Sequence, residues 1–237
     1  MPLQALEPQR LYRKIADQLR SLIASGEFPV GERLPAERDL ARQLAVSRPS
    51  VREALIALEV QGMVEVRTGS GVYVQKTKPS RSSQSTAAIN EWGPLELIRA
   101  RKVVEGEIAS MAALLAKRKD VAAMRQAIDW MRSDAAQGVL PLDGDRAFHA
   151  AIVACSGNGV LIETVHSFWD SRRGPVFTKL GGHFESVRSW RCAINEHEAI
   201  FKAIGERDPQ AARDAMHAHM DKSHSRFSAS WRRAQSQ

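Results

Sequence analysis

Two groups of side chains in this sequence carry chemistry. Arg48, Ser50 and Arg52 follow Ser47 at the start of one predicted helix, facing outward. An arginine can grip guanine O6 and N7 with two parallel N–H donors, and a serine hydroxyl can donate to a phosphate or a base. The helix N-terminus itself attracts phosphate. Arg38 upstream and Thr68 and Gly69 downstream complete a contact set for a DNA groove. The plainer alternative is a solvated, charged helix face. The second group lies far along the chain. Asp145 and His149 are four residues apart and so share a helix face. His197 and His219 fall on the last two predicted helices. One carboxylate with three imidazoles is an ordinary ligand set for Zn²⁺, Mn²⁺ or Ni²⁺. The same four residues also read as hydrogen-bonded core groups. His166, His183, His217 and His224 fit no such constellation.

The elements that must hold the first group are short. Leu40 and Leu44 share one face of a helix predicted from about Ala36 to Leu44. Ala45-Val46-Ser47 is a sharp turn. Ser47 caps the next helix, and Pro49 sits in the first turn, where a missing N–H costs nothing. That helix turns Val51, Ala54, Leu55 and Leu58 inward and stops near Gly62. Residues 63–67 and 71–75 alternate β-branched and polar residues about Thr68-Gly69-Ser70, a hairpin. Helix, turn, helix and hairpin make a winged helix-turn-helix. Before it, Leu11, Ile15, Leu19, Leu22 and Ile23 repeat at helical spacing up to Gly26, after a loose arm over residues 1–9. After it, residues 76–90 are polar, Ser-rich and basic, a linker.

From Pro94 onward only helical patterns occur. They run over about 95–118, 120–135, 142–154, 160–173, 187–204 and 208–226, with Pro175 expected to break or kink the fourth. Asp208 followed by Pro209 is a strong helix start. The expected fold is mainly α: an N-terminal winged helix-turn-helix plus a C-terminal antiparallel all-α helical bundle.

With 237 residues and 43% apolar content, the chain is long enough for two domains with real cores. Its net charge of +7 suits a polyanionic partner, although charge alone is weak evidence. Cys155 and Cys192 lack metal-site spacing and are expected as two buried thiols. No signal peptide is visible at Met1-Pro2-Leu3 and no apolar run is long enough to span a bilayer. The expectation is a cytoplasmic protein with no membrane partner.

The runs GERLPAERDLA, VSRPSVREAL and GMVEVRTGSGVYV, within Leu11 to Val74, resemble the DNA-binding domain of the GntR family of bacterial repressors. The resemblance implies that Arg38, Ser47, Arg48, Ser50, Arg52 and Gly69 occupy operator-contacting positions. Ala36 departs from the usual serine cap, a loss of roughly 1 kcal/mol. The runs RKVVEGEIASMAA, DGDRAFHAAIVACSGN, NEHEAIFKAI and ERDPQAARDAMHAHM are similar to the FCD ligand-binding domain of the FadR subfamily. In its metal-binding members the ligands fall where Asp145, His149, His197 and His219 stand, with Asp143 a substitute if the helix register differs.

Arg101 matches a family arginine that reaches the pocket, where it could hold a carboxylate. Its alternative is a helical salt bridge with Glu105. The run from Phe168 to Phe184 is similar to hexuronate- and sugar-acid-responsive members. That likeness places Trp169 and Arg172, or else Arg173, near an effector. The resulting expectation divides the chain into a DNA-binding domain (1–76), a linker (77–93) and an FCD effector-binding and dimerisation domain (94–237). Such a homodimer would bind a near-palindromic operator and act as a repressor of a sugar-acid or related carboxylate operon. Its effector would bind beside a divalent metal, zinc foremost, with manganese or nickel as alternatives. Two other readings remain at this stage: a constitutive DNA-binding protein with a structural metal, and a metal-dependent enzyme.

Overall fold

The computed structural model describes residues 10–76 and 92–229. The arm expected over residues 1–9 and residues 77–91 of the expected linker lie outside the described residues. The chain forms two compact units. Of the described residues, one holds 10–76 and 92–94 together with Gly174–Leu180, and the other holds Leu95–Arg173 with Gly181–Ala229.

The first unit begins with helix α1 (Leu11–Ala24), which buries Tyr12, Ile15, Ala16 and Leu19. That i, i+3, i+4, i+7 set is one continuous helical stripe. Leu11, expected on this face, lies at its edge and is 50% exposed. Helix α2 (Glu37–Gln43) starts at Ala36 with no side-chain cap. Helix α3 (Arg48–Val60) starts at Ser47, whose hydroxyl accepts from the Ser50 backbone N–H at 3.3 Å. Between them Ala45 has φ 51°, the left-handed conformation that lets the chain reverse within the turn.

Strands β1 (Val64–Arg67) and β2 (Gly71–Val74) pair antiparallel, with Val64 opposite Val74 and Val66 opposite Val72. These four valines are buried, as period-two alternation requires. Gly69 takes φ 80° at the tip.

Seven helices follow among the described residues: α4 (Pro94–Leu115), α5 (Arg118–Ala136), α6 (Leu142–Ala154), α7 (Gly159–Ser171), α8 (Pro175–Phe184), α9 (Val187–Gly205) and α10 (Pro209–Ser228). The sequence reading gave no helix of its own to the residues after Pro175. The structure makes Pro175 the first residue of α8, where the missing N–H has no helical partner to lose. Asn158, Ser186 and Asp208 cap α7, α9 and α10 with side-chain acceptors.

Helix α9 packs on α10 and α5, and α6 packs on α5 and α7. Met124, Ile128, Met131, Phe148, Ile152, Ile200 and Met216 fill the core between them. Gly144 is what allows α6 to press onto α5: a Cβ there would lie 2.7 Å from Met131 Cγ and 3.0 Å from the Met131 backbone nitrogen. Among the described residues no helix is long and apolar enough to cross a membrane. The fold is mainly α, a winged helix-turn-helix followed by a helical bundle.

Candidate functional site

Two surfaces carry the candidate chemistry. In the first unit, the start of α3, the residues leading into α2 and the wing tip enclose an open groove. Arg33, Arg38, Arg48, Gly69 and Ser70 are among its lining residues. The Arg38 side chain is 82% exposed and that of Arg48 is 50% exposed, so both guanidiniums can reach a ligand. Ser47 and Ser50 share a 2.9 Å hydroxyl hydrogen bond at the helix start, and Thr68 is half-buried beside exposed Gly69.

Arg52 corrects the sequence reading. It was expected to face outward, but it is 1% exposed. Its Nε and Nη2 donate to the two oxygens of buried Glu37 at 2.8 and 2.7 Å. The bidentate pair ties α3 to α2. Position 52 lies one turn past Arg48 on a buried stretch of α3, and a guanidinium can be buried there only because the Glu37 carboxylate meets it. Arg33 was missed. It bridges to Tyr73 of β2, and a partner lying across a hairpin leaves no trace in local spacing.

In the second unit, Asp145 and His149 on α6, His197 on α9 and His219 on α10 converge. One ligand atom from each lies within 4.8 Å of all the others. The imidazole centroids are 5.5, 5.5 and 4.4 Å apart, so one ion could reach all three rings. All four residues are at most 5% exposed. Asp143, the alternative ligand, is exposed on the wrong side of the helix.

The ring nitrogens divide cleanly by role. Each Nδ1 faces a fixed protein oxygen: Glu105 for His149, the Ala193 carbonyl for His197 at 2.7 Å, and Glu196 for His219 at 2.9 Å. With Nδ1 as donor, each Nε2 presents a lone pair. The Nε2 atoms of His149 and His197 and the Oδ1 of Asp145 are buried without a hydrogen-bond partner among the described residues. His197 Nε2 stands 2.9 Å from Asp145 Oδ1, but that approach lacks hydrogen-bond direction. Three buried, orphaned ligand atoms, with both Nε2 atoms within 3.5 Å of Asp145 Oδ1 and the imidazoles oriented by a carboxylate and a carbonyl, fit a divalent cation. Sequence reasoning had Glu105 only as a partner of Arg101 and missed its pairing with His149 and that of Glu196 with His219, because those histidines lie on other helices.

A cavity adjoins this cluster. Its walls include Arg101, Asp145, Arg172, Glu185, Trp190, His219 and Arg226, around a small space of about 20 Å³ that opens toward solvent. Arg101 satisfies both of its sequence readings: it lines the cavity, and its Nε donates to Glu105 at 2.6 Å. Arg172 donates to Asp145 Oδ2 at 2.6 Å, which leaves Oδ1 for a metal. Arg173, its alternative, is not on the wall. Trp169 is buried, with its ring between the guanidiniums of Arg101 and Arg172 at 4.6 and 4.5 Å and its centroid 5.4 Å from that of His149.

Charge organises the site. Burial raises the Asp145 carboxyl, but His149, His197 and Arg172 outweigh it and hold the group well below the usual range. Burial also raises Glu105, which Arg101 and His149 bring down to about 2. Glu196 is lowered too, by His219 and Arg226 against burial. Burial and nearby His197 press His219 down to about 3, so its imidazole is neutral, the state a metal ligand needs. His149 moves upward: burial opposes its charge, but Glu105 and Asp145 favour it. Burial raises Glu185 despite Arg172.

The histidines set aside in the sequence stay outside the cluster. His217 instead packs against Gly106, where a Cβ would meet its Nε2 at 2.2 Å. The cysteines depart from expectation, since Cys155 is half-buried and Cys192 is exposed.

The family model described as bacterial regulatory proteins, gntR family, matches residues 11–74, and the FCD domain model matches residues 96–222. The chain is 37% identical over 222 residues to the Uxu operon transcriptional regulator of Escherichia coli (strain K12), covering 92% of this chain and 86% of that one. It is 35% identical over 224 residues to the Exu regulon transcriptional regulator of the same strain, covering 92% and 85%. The solved structure of E. coli McbR/YncC shares the fold at a TM-score of 0.51 and 20% identity, covering 92% of this chain and 97% of that one. Its DNA-reading module, its helical domain and these relatives together place the chain in the gntR family of bacterial regulatory proteins, as a DNA-binding transcriptional regulator with an FCD domain.

Proposed function

We propose that this regulator is a homodimeric repressor whose helical domain binds a sugar-acid effector beside a divalent metal, zinc foremost. Residues 1–76 read the operator, 77–93 link, and 94–237 hold the effector and pair the chains. Arg38, Ser47, Arg48, Ser50, Thr68 and Gly69 make the DNA contacts, and Arg52 supports them from beneath. Two chains are needed because a near-palindromic operator offers two half-sites.

Asp145, His149, His197 and His219 would hold the ion. The observation that carries this reading is the set of orphaned buried atoms on Asp145, His149 and His197, in a cluster whose ligand atoms lie within 4.8 Å of one another. Four protein ligands leave coordination positions open, and there the bound ion would polarise and orient an effector oxygen. The cavity wall carries three guanidiniums against two carboxylates. A dication added to that balance favours an anion. Arg101 and Arg172, paired with Glu105 and Asp145, add positive charge that attracts a carboxylate, and the Trp169 ring lies against both of them. The relatives named for the Uxu operon and the Exu regulon support a hexuronate as that anion. The effector must bind one arrangement of the two DNA readers better than the other, since only differential affinity shifts the balance.

The deciding experiment is a thermal-shift screen of the purified protein against hexuronates, other sugar acids and small carboxylates, with and without chelator. A hexuronate that raises the melting temperature only with metal present is the expected result. Chelation that destabilises the protein, with no carboxylate shifting the melt, would replace this reading with a structural metal in a constitutive DNA binder.

A further inference from the structure

The polar groups on the cavity wall are mostly spoken for. Arg101 donates to Glu105, Arg172 to Asp145 and more distantly to Glu185, and Arg226 to Glu196 at 2.9 Å. The Ser189 hydroxyl donates to the Ser186 carbonyl at 2.9 Å. Trp190 is different. It lines the cavity and is 5% exposed, and its Nε1–H has no acceptor among the described residues. An indole N–H is a donor only, and a buried one is normally paired. Trp169 also has a buried, unpartnered Nε1, but it is not on the cavity wall, and its ring serves the two guanidiniums that flank it.

No group on the wall accepts from the Trp190 N–H among the described residues. Guanidiniums accept nothing, and the wall's two carboxylates, Asp145 and Glu185, both face Arg172. An occupant of the cavity can supply that acceptor. A short hydroxy acid spends its few oxygens on the metal and the arginines. A hexuronate brings several further hydroxyl and ring oxygens.

We infer that Trp190 is a specificity-determining residue, whose indole N–H donates to an oxygen of a polyhydroxy acid that a short hydroxy acid lacks. This deepens, and rests on, the metal-site effector reading above. Trp190 sits in the first turn of α9, seven residues before the proposed ligand His197, so the helix that supplies a metal ligand also reads the far part of the effector.

The test is calorimetric titration of the zinc-loaded full-length protein with D-glucuronate, D-galacturonate and L-lactate, in wild type and in Trp190→Phe. Phenylalanine keeps the ring bulk and removes the donor. The expected result is a roughly tenfold weaker hexuronate affinity in the variant, with L-lactate affinity and zinc stoichiometry unchanged. Hexuronate binding that is equal in wild type and variant overturns the role of Trp190 and leaves the effector reading standing. A wild type that binds no hexuronate overturns both. If Trp190→Phe does not fold, the indole N–H resonances of the wild type decide. One of the five, retained in Trp169→Phe, should move downfield with D-glucuronate and not with L-lactate. No such movement overturns the inference.

Discussion

Arg48 and Arg52 lie one helical turn apart on α3 and meet the same carboxylate in different ways. Arg48 is half exposed and 3.6 Å from Glu37, whereas Arg52 is buried and chelates it. Arg48→Ala should weaken specific operator binding by about 1–3 kcal/mol with little change in the melting temperature. Arg52→Ala strands a buried carboxylate, 7% exposed, and should destabilise the domain by about 3–5 kcal/mol. Fluorescence anisotropy on operator DNA and thermal melts separate the two. An Arg52→Ala protein that melts like wild type but fails on DNA would return Arg52 to the contact set. Ala45, left-handed at φ 51°, is a second residue-scale case. Ala45→Gly should stabilise by about 1 kcal/mol, because relief of the Cβ clash exceeds the added chain entropy. A lower melting temperature would show that the strain is not there.

Helix starts and helix contacts make different demands on the bundle. Asp208 accepts from the Ala211 N–H at 2.9 Å and caps α10, three turns before His219. Asp208→Ala should cost about 1 kcal/mol and leave metal content intact. Gly144 stands beside Asp145 at the crossing of α6 and α5. Gly144→Ala forces a methyl into Met131 and its backbone, so α6 must shift and carry Asp145 and His149 with it. Loss of about 1–3 kcal/mol together with weaker metal retention is expected. Metal analysis after dialysis, alongside melting curves, checks the pair. Full metal retention in Gly144→Ala would mean that the site tolerates displacement of its helix.

At the scale of the whole molecule, the proposed function puts reading and switching in different parts of the chain. A fragment ending at Gln75 should be a monomer that binds operator weakly, because one reader meets one half-site. Light scattering checks it, and a stable dimer of the fragment would place the pairing surface in the DNA-reading module. The +7 net charge implies binding that falls steeply with salt, so both proteins must be compared at one ionic strength.

Periodicity, caps and turn residues act between neighbours, and that is why they were legible. The Ser47 and Asp208 caps, the alternation of the four wing valines and the i, i+4 pairing of Asp145 with His149 all follow from contacts within one or two turns. The four convergent residues were named from that pairing and from the family resemblance, and the fold brings them together. Other features depended on partners distant in sequence. Glu37 turned Arg52 from a surface arginine into a buried one, across 15 residues. Glu105 on α4 oriented His149 on α6, and Glu196 on α9 oriented His219 on α10. The place of Trp190 on the wall beside Arg101 and Arg226 was likewise decided by helix packing. A side chain's type and its neighbours along the chain set what chemistry it can do. Which atom is left without a partner is set by desolvation in the folded molecule, and only the tertiary structure decides that.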